Sequence, residues 1–143
     1  MSTLHNTDFH AWTAEQAELL RAGKLTEADI VNIAEELEDM GRSERSELTN
    51  RMALLLMHLL KWVYQPGRRS RSWRSSVMEQ RNRVAVLMKR NPSLKSYRQE
   101  ALEDAYSSAR YAAERETGIT VETFPETCPW TFDQAMTMPV EMP

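Results

Sequence analysis

Apolar residues recur along most of the chain at the spacing of an α-helix. Ile30, Ile33, Leu37 and Met40 follow a 3-4-3 rhythm, which places them on one face of a helix. Between positions 52 and 60 nearly every residue is apolar, a pattern typical of a helix that is buried on all sides. No segment shows a convincing alternation of apolar and polar residues. The pattern therefore predicts helices and no strands.

Capping residues and glycines divide this pattern into elements. The first helix is expected to begin near Thr13, which has the spacing of a capping box with Gln16. The second helix is expected to open at Thr26. Gly41 predicts a stop or a kink, after which the apolar stripe continues as far as Tyr64. Glycines are thus expected to separate the helices in this half of the chain.

Prolines divide the second half. A helix is expected over residues 72–90, and Pro92 suits the first turn of the next helix, which ends at Gly118. The prolines beyond Gly118 make the tail irregular, and Thr131 offers a cap for one last short helical turn. The prediction is an all-α bundle of about five helices with an irregular, proline-containing C-terminal tail, forming a single helical domain over residues 1–143.

The composition is that of a globular protein. Hydrophobic residues make up 41% and charged residues 27% of the 143 positions, and there are only four glycines. A single cysteine, Cys128, allows no internal disulfide, which suits a reducing cytoplasm. The sequence shows no signal-peptide pattern, and its longest apolar run is far shorter than the roughly 20 residues of a membrane span. We therefore expect a soluble cytoplasmic protein with no membrane partner.

Charge is distributed unevenly along the chain. The overall net charge is −3, but residues 61–90 contain nine basic residues and one acid, a local charge of +8. The other 113 residues contain nine basic and twenty acidic residues, a charge of −11. This asymmetry indicates either an anionic partner or internal pairing of acids with bases.

The stretch Lys61–Arg74 mixes cations with aromatic side chains. Arginines hold phosphates and aromatic rings stack on bases, so this mixture is typical of a surface that binds RNA or DNA. The alternative is that the cations pair with acids of this chain or of another copy in a homo-oligomer. The cations are Lys61, Arg68, Arg69, Arg71 and Arg74, and the aromatic residues are Trp62, Tyr64 and Trp73.

Arg81 falls on the apolar face of its helix, four residues after Val77 and three before Val84. A buried guanidinium requires a carboxylate partner, because an unpaired buried charge is strongly destabilising. Glu36 lies on the flank of the apolar stripe in the second helix and is the candidate. We predict a buried Glu36–Arg81 pair that fixes helix register; the alternative is a polar pocket for a ligand or a metal.

Arg51 and His58 share one helix face at an R-x6-H spacing. This arrangement resembles the motif of HEPN-type ribonucleases, which are small helical proteins. There the histidine would act as general base on a ribose 2′-hydroxyl, and the arginine would stabilise the phosphate charge without a metal. The competing interpretation is that His58 is a hydrogen-bonded core residue.

Motifs for other chemistry are missing from the sequence. It contains no Glu-x-x-His or His-x-x-x-His pair of the kind that binds metals on helices, and no glycine-rich phosphate loop. Cys128 has no histidine beside it and is interpreted as a packing residue. We therefore expect neither a metal nor a cofactor, and whether the chain is an enzyme is left open.

Nearly the whole chain resembles a bacterial family known as domain of unknown function 29. The resemblance implies a helical protein and supplies no activity, substrate or catalytic residue. The matching stretches include Asp8-Phe9, Leu55-Leu56-Met57-His58-Leu59-Leu60-Lys61-Trp62, Ser70-Arg71-Ser72-Trp73, Glu79-Gln80-Arg81, Pro92-Ser93-Leu94, Glu116-Thr117-Gly118 and Phe124-Pro125.

Taken together, the patterns favour a helical binding or regulatory module that contacts nucleic acid or a partner protein through Lys61–Arg74. One alternative is an HEPN-like, metal-independent ribonuclease that uses Arg51 and His58. Another is an antitoxin-like protein that covers a charged surface of its partner.

Overall fold

The structure, a computed structural model, describes residues 4–142, which contain six α-helices and no strand. The all-α prediction is confirmed. The described residues form two compact units, divided in the sequence between Ser43 and Glu44. The helices are α1 (Leu4–Thr7), α2 (Phe9–Arg21), α3 (Ile30–Tyr64), α4 (Arg71–Arg90), α5 (Arg98–Thr117) and α6 (Phe132–Thr137).

The first unit contains α1, α2 and the start of α3. Helix α2 begins at Phe9, because the Asp8 carboxylate accepts a hydrogen bond from the Ala11 N–H at 3.0 Å. Thr13, the predicted cap, lies inside the helix and donates its hydroxyl to the carbonyl of His10 at 2.7 Å. The predicted start was therefore wrong by about one turn.

Asp29 joins α2 to the first turn of α3. Its carboxylate accepts the indole N–H of Trp12 at 3.2 Å and the amide of Asn32 at 2.7 Å. Its backbone N–H donates to the Gln16 side chain at 2.7 Å. The carbonyl of Asp29 accepts the first helical hydrogen bond of α3, from Ile33, so this helix opens at Ile30 and not at Thr26 as predicted.

Helix α3 continues without interruption through Gly41, where the predicted stop does not occur. The backbone of Gly41 avoids the positive φ values that Gly23 and Gly118 adopt. A glycine inside a helix costs only about 1 kcal/mol relative to alanine. The hydrogen-bonded turns on both sides outweigh that cost, so the helix reaches Tyr64.

The second unit is a helical bundle around the later part of α3. The predicted all-apolar stretch supplies its centre, with Met52, Leu55, Leu56, Leu59 and Leu60 fully buried. Helix α5 contributes a stripe of alanines at every fourth position, which lets neighbouring helices approach closely. Those alanines are Ala101, Ala105, Ala109 and Ala113.

Local signals placed most ends of this unit correctly. Gly118 ends α5 with a φ of 76°, and Thr131 and Gln134 form the predicted capping box of α6. Pro92 opens a 3-10 turn over Pro92–Tyr97, so α5 itself begins only at Arg98.

Candidate nucleic-acid interface

The basic stretch surrounds the start of α4. After α3 ends, a single 3-10 turn over Pro66–Arg68 reverses the chain, and Ser70 caps α4 by accepting a backbone N–H of the first turn at 3.1 Å. Arg68, Arg71 and Arg74 therefore lie at or next to the first turn of α4. The exposed backbone N–H groups there add partial positive charge to that of the arginines.

Arg68, Arg71 and Arg74 are exposed, and none of their side chains has an ion pair or hydrogen bond within residues 4–142. Arg71 and Arg74 border a shallow depression of about 490 Å³ together with Ser75, Glu141 and Met142. These three guanidinium groups form the unpaired arginine cluster. They are available to an anion approaching from solvent.

Lys61 and Arg69 are used within the second unit instead. Lys61 is only 8% exposed, and its Nζ lies 3.9 Å from a carboxylate oxygen of Glu116 and 4.7 Å from the centre of the Trp73 ring. Arg69 donates its Nε to the carbonyl of Trp62 at 2.8 Å and lies over the Trp62 ring. Two of the five predicted binding cations thus hold the connection between α3 and α4.

The aromatic residues of the stretch pack in or against the core of the second unit. Trp62 is 3% exposed, and Tyr64 lies edge-on to Phe124 with ring centres 5.0 Å apart. Trp73 packs against the core beneath Lys61. Trp62 is thus covered by its own unit, whereas Tyr64 and Trp73 are half-buried, so less ring surface is exposed than the sequence suggested.

Arg81 has partners different from those predicted. Its Nε donates to the carbonyl of Ala135 at 3.0 Å and its Nη2 to the carbonyl of Met138 at 2.7 Å. The last carbonyls of a helix lack intrahelical donors, and a cation is favourable at that end of the helix dipole. Glu36 instead accepts a hydrogen bond from His5 at 2.8 Å. Each of the two side chains thus has a partner within its own unit, and the Glu36–Arg81 pair stays a prediction.

The two residues of the ribonuclease hypothesis lie on one face of α3, about 10 Å apart along its axis. Arg51 donates its Nε to Glu47 at 2.7 Å, so a carboxylate competes with any phosphate for this guanidinium. His58 is half-buried, and burial followed by the positive charge of Lys61 lowers the pKa of its imidazole. A neutral imidazole has the charge state of a general base, but nothing in this geometry tests catalysis.

Sequence reasoning missed a second depression, of about 470 Å³, between α5 and the C-terminal segment. Tyr106 donates its hydroxyl to the carbonyl of Pro125 at 2.5 Å, and burial raises the pKa of this phenol to about 12. Arg110 donates to the carbonyls of Val121 and Phe124. These bonds hold the irregular tail to α5. Their acceptors are backbone carbonyls, which leave no signal in the sequence.

Two properties of the described residues bear on the class of site. Within residues 4–142, no group of three or more His, Cys, Asp or Glu side chains converges to hold a metal ion. In the same residues, no helix combines the length and the apolar character that crossing a membrane requires. The unpaired arginine cluster is thus the site feature that the geometry supports best.

Comparison with known proteins gives a family and no close relative. No curated protein and no solved structure matches the chain. One family, described as a domain of unknown function, matches residues 4–139, which is almost the whole sequence. The chain therefore belongs to the DUF29 family.

Proposed function

We propose that the chain is a binding module that contacts the phosphate groups of nucleic acid through Arg68, Arg71 and Arg74. The observation that carries the proposal is that these three exposed guanidinium groups have no ion pair within residues 4–142, in a chain that contains 21 acidic residues. Exposed arginines are readily neutralised by nearby carboxylates, so a cluster that stays unpaired favours an external anion.

The expected mode of binding follows from which side chains face outward. The ring of Trp62 is buried and those of Tyr64 and Trp73 are half-buried against the core, so little ring surface is left on which bases could stack. Contacts of arginine with phosphate carry no sequence information. We therefore expect RNA and DNA to bind with little sequence preference and with an affinity that depends strongly on salt.

The test is fluorescence anisotropy of the whole chain with labelled RNA or duplex DNA, in the presence of a chelator. Neutralising about three phosphates of a duplex gives a slope of about −2.7 for log affinity against log salt, or roughly a 40-fold loss between 50 and 200 mM salt. The triple variant Arg68→Ala, Arg71→Ala, Arg74→Ala should abolish binding. It should remain folded, because the three side chains are exposed.

A matched control removes three other exposed positive charges, in the variant Lys89→Ala, Arg90→Ala, Lys95→Ala. Lys89 and Arg90 lie in the last turn of α4, roughly 25 Å from its first turn. This variant should keep most of the affinity. Equal losses in the two variants would mean that only net charge matters, and affinity without salt dependence would contradict the proposal.

The same assay separates the alternatives. RNA fragments that appear with the wild type and vanish with His58→Ala would replace the proposal with the ribonuclease hypothesis. If neither RNA nor DNA binds, the arginine cluster serves a protein surface, as in the antitoxin-like alternative.

The proposed setting is the cytoplasm of a bacterial cell. The family resemblance suggests the bacterial source. The single cysteine, Cys128, supports a reducing compartment because it cannot form an internal disulfide.

A further inference from the structure

The first unit leaves apolar residues of α3 uncovered. Ile30, Leu37 and Met40 are 51%, 63% and 65% exposed, and the half-buried Ile33 completes their 3-4-3 spacing. These four residues form the α3 apolar stripe. Contiguous apolar surface of this kind marks interaction sites in soluble proteins more often than it marks ordinary surface.

The contacts of α1 and α2 lie on another side of the helix. Asp29, Asn32 and Glu36 make the hydrogen bonds that hold this part of the chain together. At 100° per residue, Glu36 is about 80° from the centre of the stripe, so the polar side borders the stripe, and the exposure of Ile30, Leu37 and Met40 shows that it does not cover them. The helices α1 and α2, which pack within the same unit, therefore leave the stripe exposed to solvent.

The shape of the stripe fits a helix. It covers three turns, about 15 Å, and its 3-4-3 spacing is the spacing at which two helices pack along a seam. Ala34 and Gly41, which border the stripe, have the smallest side chains and let a partner backbone approach closely. An amphipathic helix of about three to four turns matches this surface.

The negative charge of the first unit favours a positively charged partner helix. Residues 1–43 contain nine acidic and three basic residues, a net charge of −6. Glu38 and Asp39 share Arg42, whereas the exposed Glu27 and Glu35 have no ion pair within the described residues. Pairing two copies of this unit through the stripe would bring two charges of −6 together, which is unfavourable. A cationic helix is attracted instead.

We propose that the α3 apolar stripe binds a basic amphipathic helix of a partner protein. Apolar side chains of that helix cover Ile30, Ile33, Leu37 and Met40, and its lysines or arginines are attracted by the net charge of −6 of residues 1–43. This proposal concerns the first unit and does not rest on nucleic-acid binding by the second.

The probe is a labelled helical peptide of leucine and lysine, about 15 or more residues long, with leucines at helical spacing. Its twin carries glutamate in place of every lysine. The lysine peptide should bind the whole chain, and the glutamate peptide should not. Leu37→Ser with Met40→Ser should weaken binding by about tenfold or more, because both side chains lose apolar contact with the peptide. Far-UV circular dichroism checks that the variant is folded.

The control variant is Met78→Ser with Val86→Ser, which removes apolar side chains that are 43% and 48% exposed on α4. Binding of the lysine peptide should be unchanged in this variant and in the triple arginine variant. Equal weakening by Met78→Ser with Val86→Ser, or equal binding of the glutamate twin, would overturn the proposal. A third outcome would also overturn it. If the wild type sediments as a dimer and the variant Leu37→Ser with Met40→Ser sediments as a monomer, the stripe binds a second copy of this chain.

Discussion

The two units of this chain differ in what holds them together. The second unit is built around fully buried aliphatic side chains such as Leu55, Leu56 and Leu59. Among the described residues of the first unit, only Trp12, Gln16 and Asp29 are buried, and they are joined by hydrogen bonds. The second unit is stabilised by buried apolar side chains, whereas the first is stabilised by the hydrogen-bonded cluster of Trp12, Gln16 and Asp29.

Size accounts for this difference. A segment of about 40 residues has too much surface for its volume to bury a large core. Its apolar residues, including Leu25, Ile30 and Leu37, therefore stay largely exposed. With so few buried contacts, the first unit should open more readily than the second.

The largest effect should come from the core of the second unit. Leu59 is 0% exposed, so Leu59→Ala should lower the free energy of unfolding by about 2–5 kcal/mol through lost burial and a new cavity. Leu37→Ala, at a side chain that is 63% exposed, should change it by no more than about 0.5 kcal/mol. Urea unfolding measures both. Similar losses in the free energy of unfolding for the two variants would contradict the claim that apolar burial stabilises the second unit more than the first.

A smaller loss of stability, confined to the first unit, is expected when the hydrogen bond between Trp12 and Asp29 is removed. Trp12→Phe keeps a large ring but removes the N–H that donates to Asp29, which should cost about 1–2 kcal/mol. Amide hydrogen exchange should become faster in α2 and over residues 30–40, with little change over residues 52–60. Leu20→Ala, at a side chain of the same helix that is 41% exposed, is the control. Equal acceleration over residues 52–60 would mean that the units open together.

Sequence predicted the fold where the signals are local. The apolar run over residues 52–60, the glycine at 118 and the capping box at Thr131 each act within a few residues, and the structure has all three. The start of α2 was mispredicted because Asp8 and Thr13 are both good caps. In the structure Asp8 is the cap, and the helical turn that it starts contains Trp12, whose indole bonds to Asp29 seventeen residues away; a single sequence does not show such a contact.

The candidate site stays a prediction, and the sequence alone does not show how its cations are paired. It shows only that five cations lie between residues 61 and 74. Which of them are unpaired depends on ring faces and backbone carbonyls, since Lys61 lies over Trp73 and Arg69 bonds to the carbonyl of Trp62. The partners of Arg81 could not be predicted from the sequence either, because its two acceptor carbonyls lie 54 and 57 residues further along the chain.

The smallest predicted effect is a pH dependence of opposite sign in the two units. The hydrogen bond with Glu36 raises the pKa of His5 above 6.5, while burial lowers the pKa of His58 below that value. Stabilisation by His5 is therefore complete below pH 6.5 and is lost as the pH rises through its raised pKa. For His58 the unfolded chain binds the proton first, so stability is lost as the pH falls through 6.5 towards its lowered pKa.

Hydrogen exchange at about pH 5.5 and about pH 7.5, corrected for intrinsic rates, measures this difference on either side of 6.5. Relative to His5→Gln, the wild-type first unit should be better protected at the lower pH. Relative to His58→Gln, the wild-type second unit should be better protected at the higher pH. The exposed His10 provides the control His10→Gln, which should leave both trends in place. If both units respond to pH with the same sign after these corrections, the contrast between a polar first unit and an apolar second unit does not extend to their histidines.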